Sequence, residues 1–136
     1  MKKLLIAAIL FLSAPAMAQG TDATTLSRDF AMCSAIAQAS SNHALLFADN
    51  DGAIAMSKVA DVYKWAAIHT AKSLTATPDL TISKLIKDAV PQYSAKLRTA
   101  TDSATAQFPS QTQRCSEIEP LAGQAIQAMQ AGQPTQ

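Results

Sequence analysis

Apolar residues recur at alternating steps of four and three along most of the chain. The longest such face covers about six helical turns and consists of Leu26, Phe30, Cys33, Ala37, Ser40, Ala44 and Phe47. This spacing places the apolar side chains on one side of an α-helix, where they can be buried. We therefore expect a first helix that is capped by Thr24 or Thr25 and ends near Ala48.

A second helix is predicted from about Ala53 to Ala76, because residues 49–52 favour a turn and Pro78 restricts the residue before it. Asp51 is its candidate cap. Its predicted inner face consists of Ala55, Met56, Val59, Val62, Tyr63, Ala66, Thr70 and Leu74.

A third helix is predicted from a cap at Thr81 to a point before Pro109, with a kink at Pro91. Its apolar face consists of Ile82, Ile86, Ala89, Tyr93, Leu97, Ala100 and Ala104, with Phe108 beyond. The alternative is that Pro91 lies in the first turn of a separate helix. Ser110 and Gln113 have the form of a capping box, which starts a fourth helix. That helix has an apolar face of Cys115, Ile118, Ala122, Ile126 and Met129, and a second proline, Pro120.

No stretch shows the sustained period-two alternation of a β-strand. Four helices with short connections predict an all-α, antiparallel four-helix bundle-like domain. We expect one domain over residues 19–136, with loose ends at about 19–24 and 130–136.

The N-terminus has the features of a secretory signal peptide. Lys2 and Lys3 precede the apolar run Leu4–Leu12, and the segment ends in Ala16-Met17-Ala18. This predicts cleavage after residue 18 and export to the periplasm or beyond the cell. The apolar run is too short for a stable transmembrane helix, so no stable membrane anchor is expected.

The two cysteines, Cys33 and Cys115, are predicted to form one disulfide, as in most exported chains with two cysteines. The alternative is a pair of free thiols for metal or redox chemistry. The absence of a C-x-x-C pair argues against that alternative.

The charge balance bears on the class of partner. The chain has 11 basic and 10 acidic residues, and removal of Lys2 and Lys3 changes the formal net charge from +1 to −1. A nucleic-acid binder needs a clustered basic face, and a membrane-surface protein needs a polybasic segment. The sequence therefore predicts neither.

Few residues suggest metal, haem or catalytic chemistry. His43 and His69 lie at the edges of two apolar faces and can approach each other between the first two helices. Haem ligation by a histidine and a methionine, such as Met32, Met56 or Met129, is the alternative function. There is no H-E-x-x-H, C-x-x-C-H or G-x-S-x-G motif. We expect no metal, no cofactor and no catalysis.

The outer side of the second helix carries large apolar residues and a rim of charge. These residues are Ile54, Lys58, Asp61, Lys64, Trp65, Ile68 and Lys72. Exposed apolar residues with a charged rim are typical of protein-binding surfaces. In the alternative interpretation, the helix is packed on both sides and Trp65 lies inside the bundle.

The expected function is non-catalytic binding of another cell-envelope or secreted protein. In size, compartment and fold class, the chain is similar to exported acid-stress chaperones and to the immunity proteins of rival-killing secretion systems. It shares no motif with either group. The alternative is binding of a small molecule, metal or haem within the bundle.

Overall fold

The computed structural model describes residues 22–98 and 104–132, so the predicted signal peptide at residues 1–18 lies outside the described residues. The described chain is all-helical and contains no strand, which confirms the predicted fold class. Its five helices are α1 (Ala23–Leu46), α2 (Asn50–Ala71), α3 (Pro78–Arg98), α4 (Ala104–Gln107) and α5 (Pro109–Ala131).

The first two helices begin at aspartate caps rather than at the predicted residues. Asp22 accepts a hydrogen bond of 2.9 Å from the Thr25 N–H, and Asp49 accepts one of 2.9 Å from the Gly52 N–H. A Cβ atom at Gly52 would collide with the Asp49 carboxylate, so a larger residue at position 52 would require the Asp49 side chain to move. Aspartate satisfies the free amides of the first turn as well as threonine does, and each helix starts a few residues earlier than predicted.

The later helices also differ from the prediction at their ends. Pro91 lies inside α3, as predicted; α3 is described to Arg98 and α4 covers Ala104–Gln107, and the connection between them lies outside the described residues. α3 begins at Pro78 rather than at a Thr81 cap, and α5 begins at Pro109 with no side-chain cap. Proline is favoured in the first turn of a helix because it has no N–H that needs a partner. Since α5 begins at Pro109 without a side-chain cap, the predicted capping box at Ser110 is wrong. Of the ends predicted to be loose at about 19–24 and 130–136, residues 23–24 and 130–131 are helical, and residues 19–21 and 133–136 lie outside the described residues.

Small residues allow α1 and α2 to pack closely as an antiparallel pair. Ser34 donates a hydrogen bond of 2.8 Å to the Ala60 carbonyl, and Ser41 donates one of 2.7 Å to the Ala53 carbonyl. Each helix has a stripe of small residues that recur at every seventh position. The stripe consists of Ser27, Ser34 and Ser41 on α1, and of Ala53, Ala60 and Ala67 on α2. Ser34 and Ala60 are 0% and 1% exposed. This register places residue 34 beside residue 60.

The other helices pack around this pair, and α1 is the central helix. α1 contacts α2, α3 and α5, and its residues from Ser27 to Ala39 are buried on nearly every side. Phe108 packs against Ile36, and Arg114 pairs with Asp29, so α5 runs antiparallel to α1. These contacts are consistent with a helical bundle.

The predicted inner face of α2 is only partly correct. Tyr63 and Ala66 are buried as predicted, but Val59, Val62 and Leu74 are 38%, 44% and 47% exposed. The alanine stripe lies against α1 instead, because the smallest side chains allow the closest approach of two helices. The large β-branched residues are displaced toward solvent as a result.

The disulfide between Cys33 and Cys115 is present, which confirms the predicted pairing. Two further contacts hold α5 at the same place. The Tyr63 hydroxyl donates to the Cys115 carbonyl at 2.9 Å, and the Arg114 Nε lies 2.8 Å from the Asp29 carboxylate. Burial, with the charge of Glu119 as a smaller cause, raises the pKa of Tyr63, so the hydroxyl keeps its proton and remains a donor at neutral pH.

The α1–α2 turn contains a strained residue. Ala48 has a φ of 56°, the one non-glycine residue with positive φ in the described chain. The Ala48 and Asp49 amides bond to the Leu45 and Ala44 carbonyls, at 3.2 and 3.0 Å. This pattern is a Schellman motif, in which the residue at the position of Ala48 is usually glycine.

We expect Ala48→Gly to raise the free energy of unfolding by about 0.5–1 kcal/mol. The left-handed conformation costs an alanine about 1–2 kcal/mol, and the extra freedom of glycine in the unfolded chain offsets part of that gain, about 0.4–1 kcal/mol. Urea denaturation measures the difference. As the matched control, Ala95→Gly at an exposed position of α3 should be destabilising, and a destabilising Ala48→Gly would contradict the assignment.

Candidate protein-binding surface

Trp65 lies at the surface beside the C-terminal part of α5. Its side chain is 46% exposed, so the interpretation in which it is enclosed within the bundle is wrong. Trp65 lines a pocket of about 260 Å³ together with Ile126, Met129 and Gln130. The tryptophan therefore has an apolar neighbourhood formed by two helices and an open side toward solvent.

Charged residues surround Trp65 on α2. Ile54 is 55% exposed on the same side of the helix, and Lys58, Asp61 and Lys72 are exposed. The Lys64 ammonium lies 5.9 Å from the centre of the Trp65 ring. We define the Trp65 face as Ile54, Lys58, Asp61, Lys64, Trp65 and Lys72. It carries three lysines and one aspartate, and its electrostatic character is therefore basic.

Ile68 was predicted to lie on this outer side of the helix, and that prediction is wrong. It is 4% exposed and belongs to the main core with Ala71 and Ile82. The reason is that α2 contacts α1, α3 and α5, so its buried arc is wider than a single stripe. Ile68 cannot contact a partner in the folded protein, although the other six residues can.

A second exposed apolar region lies at the α1–α2 turn, and the sequence analysis did not find it. Leu45, Leu46 and Phe47 are 54%, 65% and 71% exposed, although Phe47 was predicted to lie in the core. α5 starts beside the middle of α1 and runs away from this end, so it does not cover these residues. The sequence feature that could have indicated this exposed region is the run of three consecutive large apolar residues directly before a turn.

The two histidines lie at different ends of the bundle, so the expectation that they approach each other is wrong. The α1–α2 register places His69 beside the first turn of α1, about 27 Å along the axis from His43 at 1.5 Å per residue. His43 and Met56 do line one pocket, of about 350 Å³, at the Phe47 end. The Nδ1 atoms of both histidines are buried without a hydrogen-bond partner.

Two observations bear on metal and nucleophilic chemistry in the part of the chain that the structure describes. That part has no group of three or more histidine, cysteine, aspartate or glutamate residues that could hold a metal ion. Both cysteines are oxidised to each other, which removes them as nucleophiles. Among the described helices, none combines the length and apolarity needed to cross a membrane.

Comparisons with other proteins add no family to this picture. The chain matches no protein-family model, and no curated protein or solved structure shows significant similarity to it. The functional argument therefore depends on the chain's own residues.

Proposed function

We propose that the protein is exported by its N-terminal segment and acts as a non-catalytic module that binds another protein in the cell envelope. The observation that carries this proposal is the half-exposed Trp65, which lies beside Ile126 and Met129 on a surface rimmed by charge. Tryptophan is among the residues that most often dominate binding energy when a partner covers them. A role of the immunity or chaperone type fits such a module.

The charges of the Trp65 face define the chemistry of the partner. Lys58, Lys64 and Lys72 surround the apolar centre, and Asp61 is the one acidic residue of the face. A complementary partner has an apolar segment flanked by acidic side chains, because opposite charges favour both encounter and register. Binding should therefore weaken as the salt concentration rises.

The disulfide supports the proposed export, because disulfide bonds form and persist in oxidising compartments outside the cytosol. The bond joins the central helix to α5, and α5 supplies the wall beside Trp65. The bond therefore stabilises the position of the α5 residues that lie beside Trp65. Reduction in the cytosol would loosen this wall of the pocket.

We expect Trp65→Ala to weaken partner binding at least tenfold, since a central tryptophan typically contributes 2 kcal/mol or more to binding. The loss in folding stability should stay near 1 kcal/mol, because the side chain is only half buried. Calorimetric titration with the purified partner and urea denaturation measure the two effects.

Leu80→Ala is the matched control, since Leu80 is a large apolar residue on α3 with 72% exposure. It should leave affinity unchanged. The proposal fails if Trp65→Ala binds the partner as tightly as the wild type. It also fails if Leu80→Ala loses as much affinity as Trp65→Ala.

A further inference from the structure

An open cleft between α2 and α3 carries two lysines from different helices. Lys64 projects from α2 and Lys87 from α3, and both line a volume of about 340 Å³. Small-molecule sites begin at about this size. The α1–α2 register, with α3 parallel to α1, places the two lysines within about one helical turn of each other along the bundle axis.

The positive charge of this cleft is not neutralised by the described residues. No described carboxylate lies within 4.0 Å of the Lys64 or Lys87 ammonium, and no acidic residue lines the cleft. Two uncompensated ammonium groups on facing helices can hold one anionic group between them, since charge-assisted hydrogen bonds are stronger than neutral ones.

The rest of the cleft is apolar along one side. Ile86, Val90 and Pro91 of α3 line it, and Ile86 is only 4% exposed. These residues extend from the level of the lysines toward Gln38 of α1, which lines the far end. The cleft therefore has a cationic end at the two lysines and an apolar side along α3.

Pro91 adds a hydrogen-bond acceptor to this region. Proline has no N–H, so the Lys87 carbonyl does not receive its usual donor from four residues along the helix. Ser83 and Gln38, whose side chains carry a hydroxyl and an amide, also line the cleft. A ligand with an amide N–H or a hydroxyl near its anionic group could bond to these acceptors.

We propose that this cleft binds a carboxylate carried on a short apolar group. The carboxylate lies between Lys64 and Lys87, and the apolar group lies along Ile86, Val90 and Pro91. Two sources provide this chemistry, a medium-chain fatty acid and the C-terminus of a peptide with apolar last residues. The peptide can in addition donate a backbone N–H.

This proposal is independent of the Trp65 face. Lys64 lies between the two sites and contributes to both. Lys87 lines only the cleft and Trp65 belongs only to the face. Variants at these two positions therefore separate a failure of one proposal from a failure of the other.

The test is a titration of the full exported chain, with its disulfide intact, observed by ¹H–¹⁵N correlation spectra. The probes are octanoate and octanamide, and acetyl-Ala-Ala-Leu with a free C-terminal carboxylate and with a C-terminal amide. Within each pair the two compounds differ only in the terminal group, which is a charged carboxylate in one and a neutral amide in the other. Comparison of the two acids shows which source the cleft prefers.

We expect the acids to shift the amide signals of Gln38, Ser83 and Lys87, and the neutral amides to bind at least tenfold more weakly. Lys87→Gln should weaken acid binding about tenfold, because an exposed ion pair contributes less than a buried one. Lys96→Gln, at an exposed lysine of α3 that lies outside both the cleft and the Trp65 face, is the control and should bind normally. The proposal is overturned if neither acid shifts these signals, if each amide binds as well as its acid, or if Lys87→Gln binds like the wild type.

Discussion

Without the Cys33–Cys115 disulfide, we expect the protein to lose about 4 kcal/mol of unfolding free energy. The bond closes a loop across a sequence separation of 82 residues, and a loop of that length restricts the unfolded chain by about this amount in the entropy model. The stability of a small domain is typically about 5–15 kcal/mol. The bond is therefore expected to supply a large share of it.

The loss should be concentrated at α5. Apart from the disulfide, the Tyr63–Cys115 hydrogen bond, the Arg114–Asp29 ion pair and the packing of Ile118 and Ala122 hold this helix on the bundle. In hydrogen exchange, α5 amides should lose more protection than the α1–α2 pair in the double variant Cys33→Ala/Cys115→Ala.

Urea denaturation of the double variant and of the reduced wild-type protein measures the effect on stability. Both should show the same lower midpoint, since both lack the same bond. Equal midpoints for the oxidised wild type and the double variant would contradict the role assigned to the disulfide.

Ala60→Leu should lower the free energy of unfolding by about 3 kcal/mol or more. Ala60 is 1% exposed and lies against Ser34, which donates to its carbonyl at 2.8 Å. Three additional carbons at this contact force the helices apart, and overpacking of this kind costs about 1–3 kcal/mol. Loss of the serine hydrogen bond adds about 1 kcal/mol.

Ala55→Leu is the matched control, because it makes the same change on the exposed side of α2. It should change stability by less than about 0.5 kcal/mol. Ser34→Ala removes the hydrogen bond and keeps the close approach, so it should cost about 1 kcal/mol. If thermal denaturation gave Ala60→Leu and Ala55→Leu the same midpoint, the close contact of the small-residue stripes would be wrong.

The features predicted correctly from sequence are those with one dominant local cause. The spacing around Phe30 and Cys33 can only form a helix face, and two cysteines allow one pairing. Continuation of the third helix through Pro91 followed from the unbroken apolar phase on both sides of the proline. These features depend on neighbours along the chain or on simple pairing.

The features that were missed depend on which helices meet. Val59 and Val62 were predicted to lie on the inner face of the second helix and Ala60 was not, although alanine is the residue that permits two helices to pack closely. Phe47 continues the apolar phase of α1, but it lies beyond the closely packed part of the described helices and is 71% exposed. Ile68 lies in the core that α2 shares with α3. The sequence pattern of α2 alone cannot predict that α3 packs against this side of the helix.

In the candidate site too, the features with a local cause could be predicted from the sequence, and those that depend on helix packing could not. The sequence placed Trp65 on the predicted outer side of the second helix with lysines around it, but it left open whether the residue lies at the surface or inside the bundle. It could not identify Ile126 and Met129 as its neighbours, since their position depends on how α5 packs. It also could not identify the cleft between Lys64 and Lys87, which joins two helices whose relative alignment is a property of the whole bundle.

The most direct measurement of the central claim is photo-crosslinking from position 65 in the cell that makes the protein. A benzophenone amino acid replaces Trp65 in one variant and Leu80 in the control, and the crosslinked peptides are identified by mass spectrometry. The account predicts one dominant partner at position 65, attached through an apolar segment with acidic flanks, and none at position 80. An excess of wild-type protein should suppress the product. Equal crosslinking at both positions, or no product at position 65, would contradict the claim that the Trp65 face binds a protein.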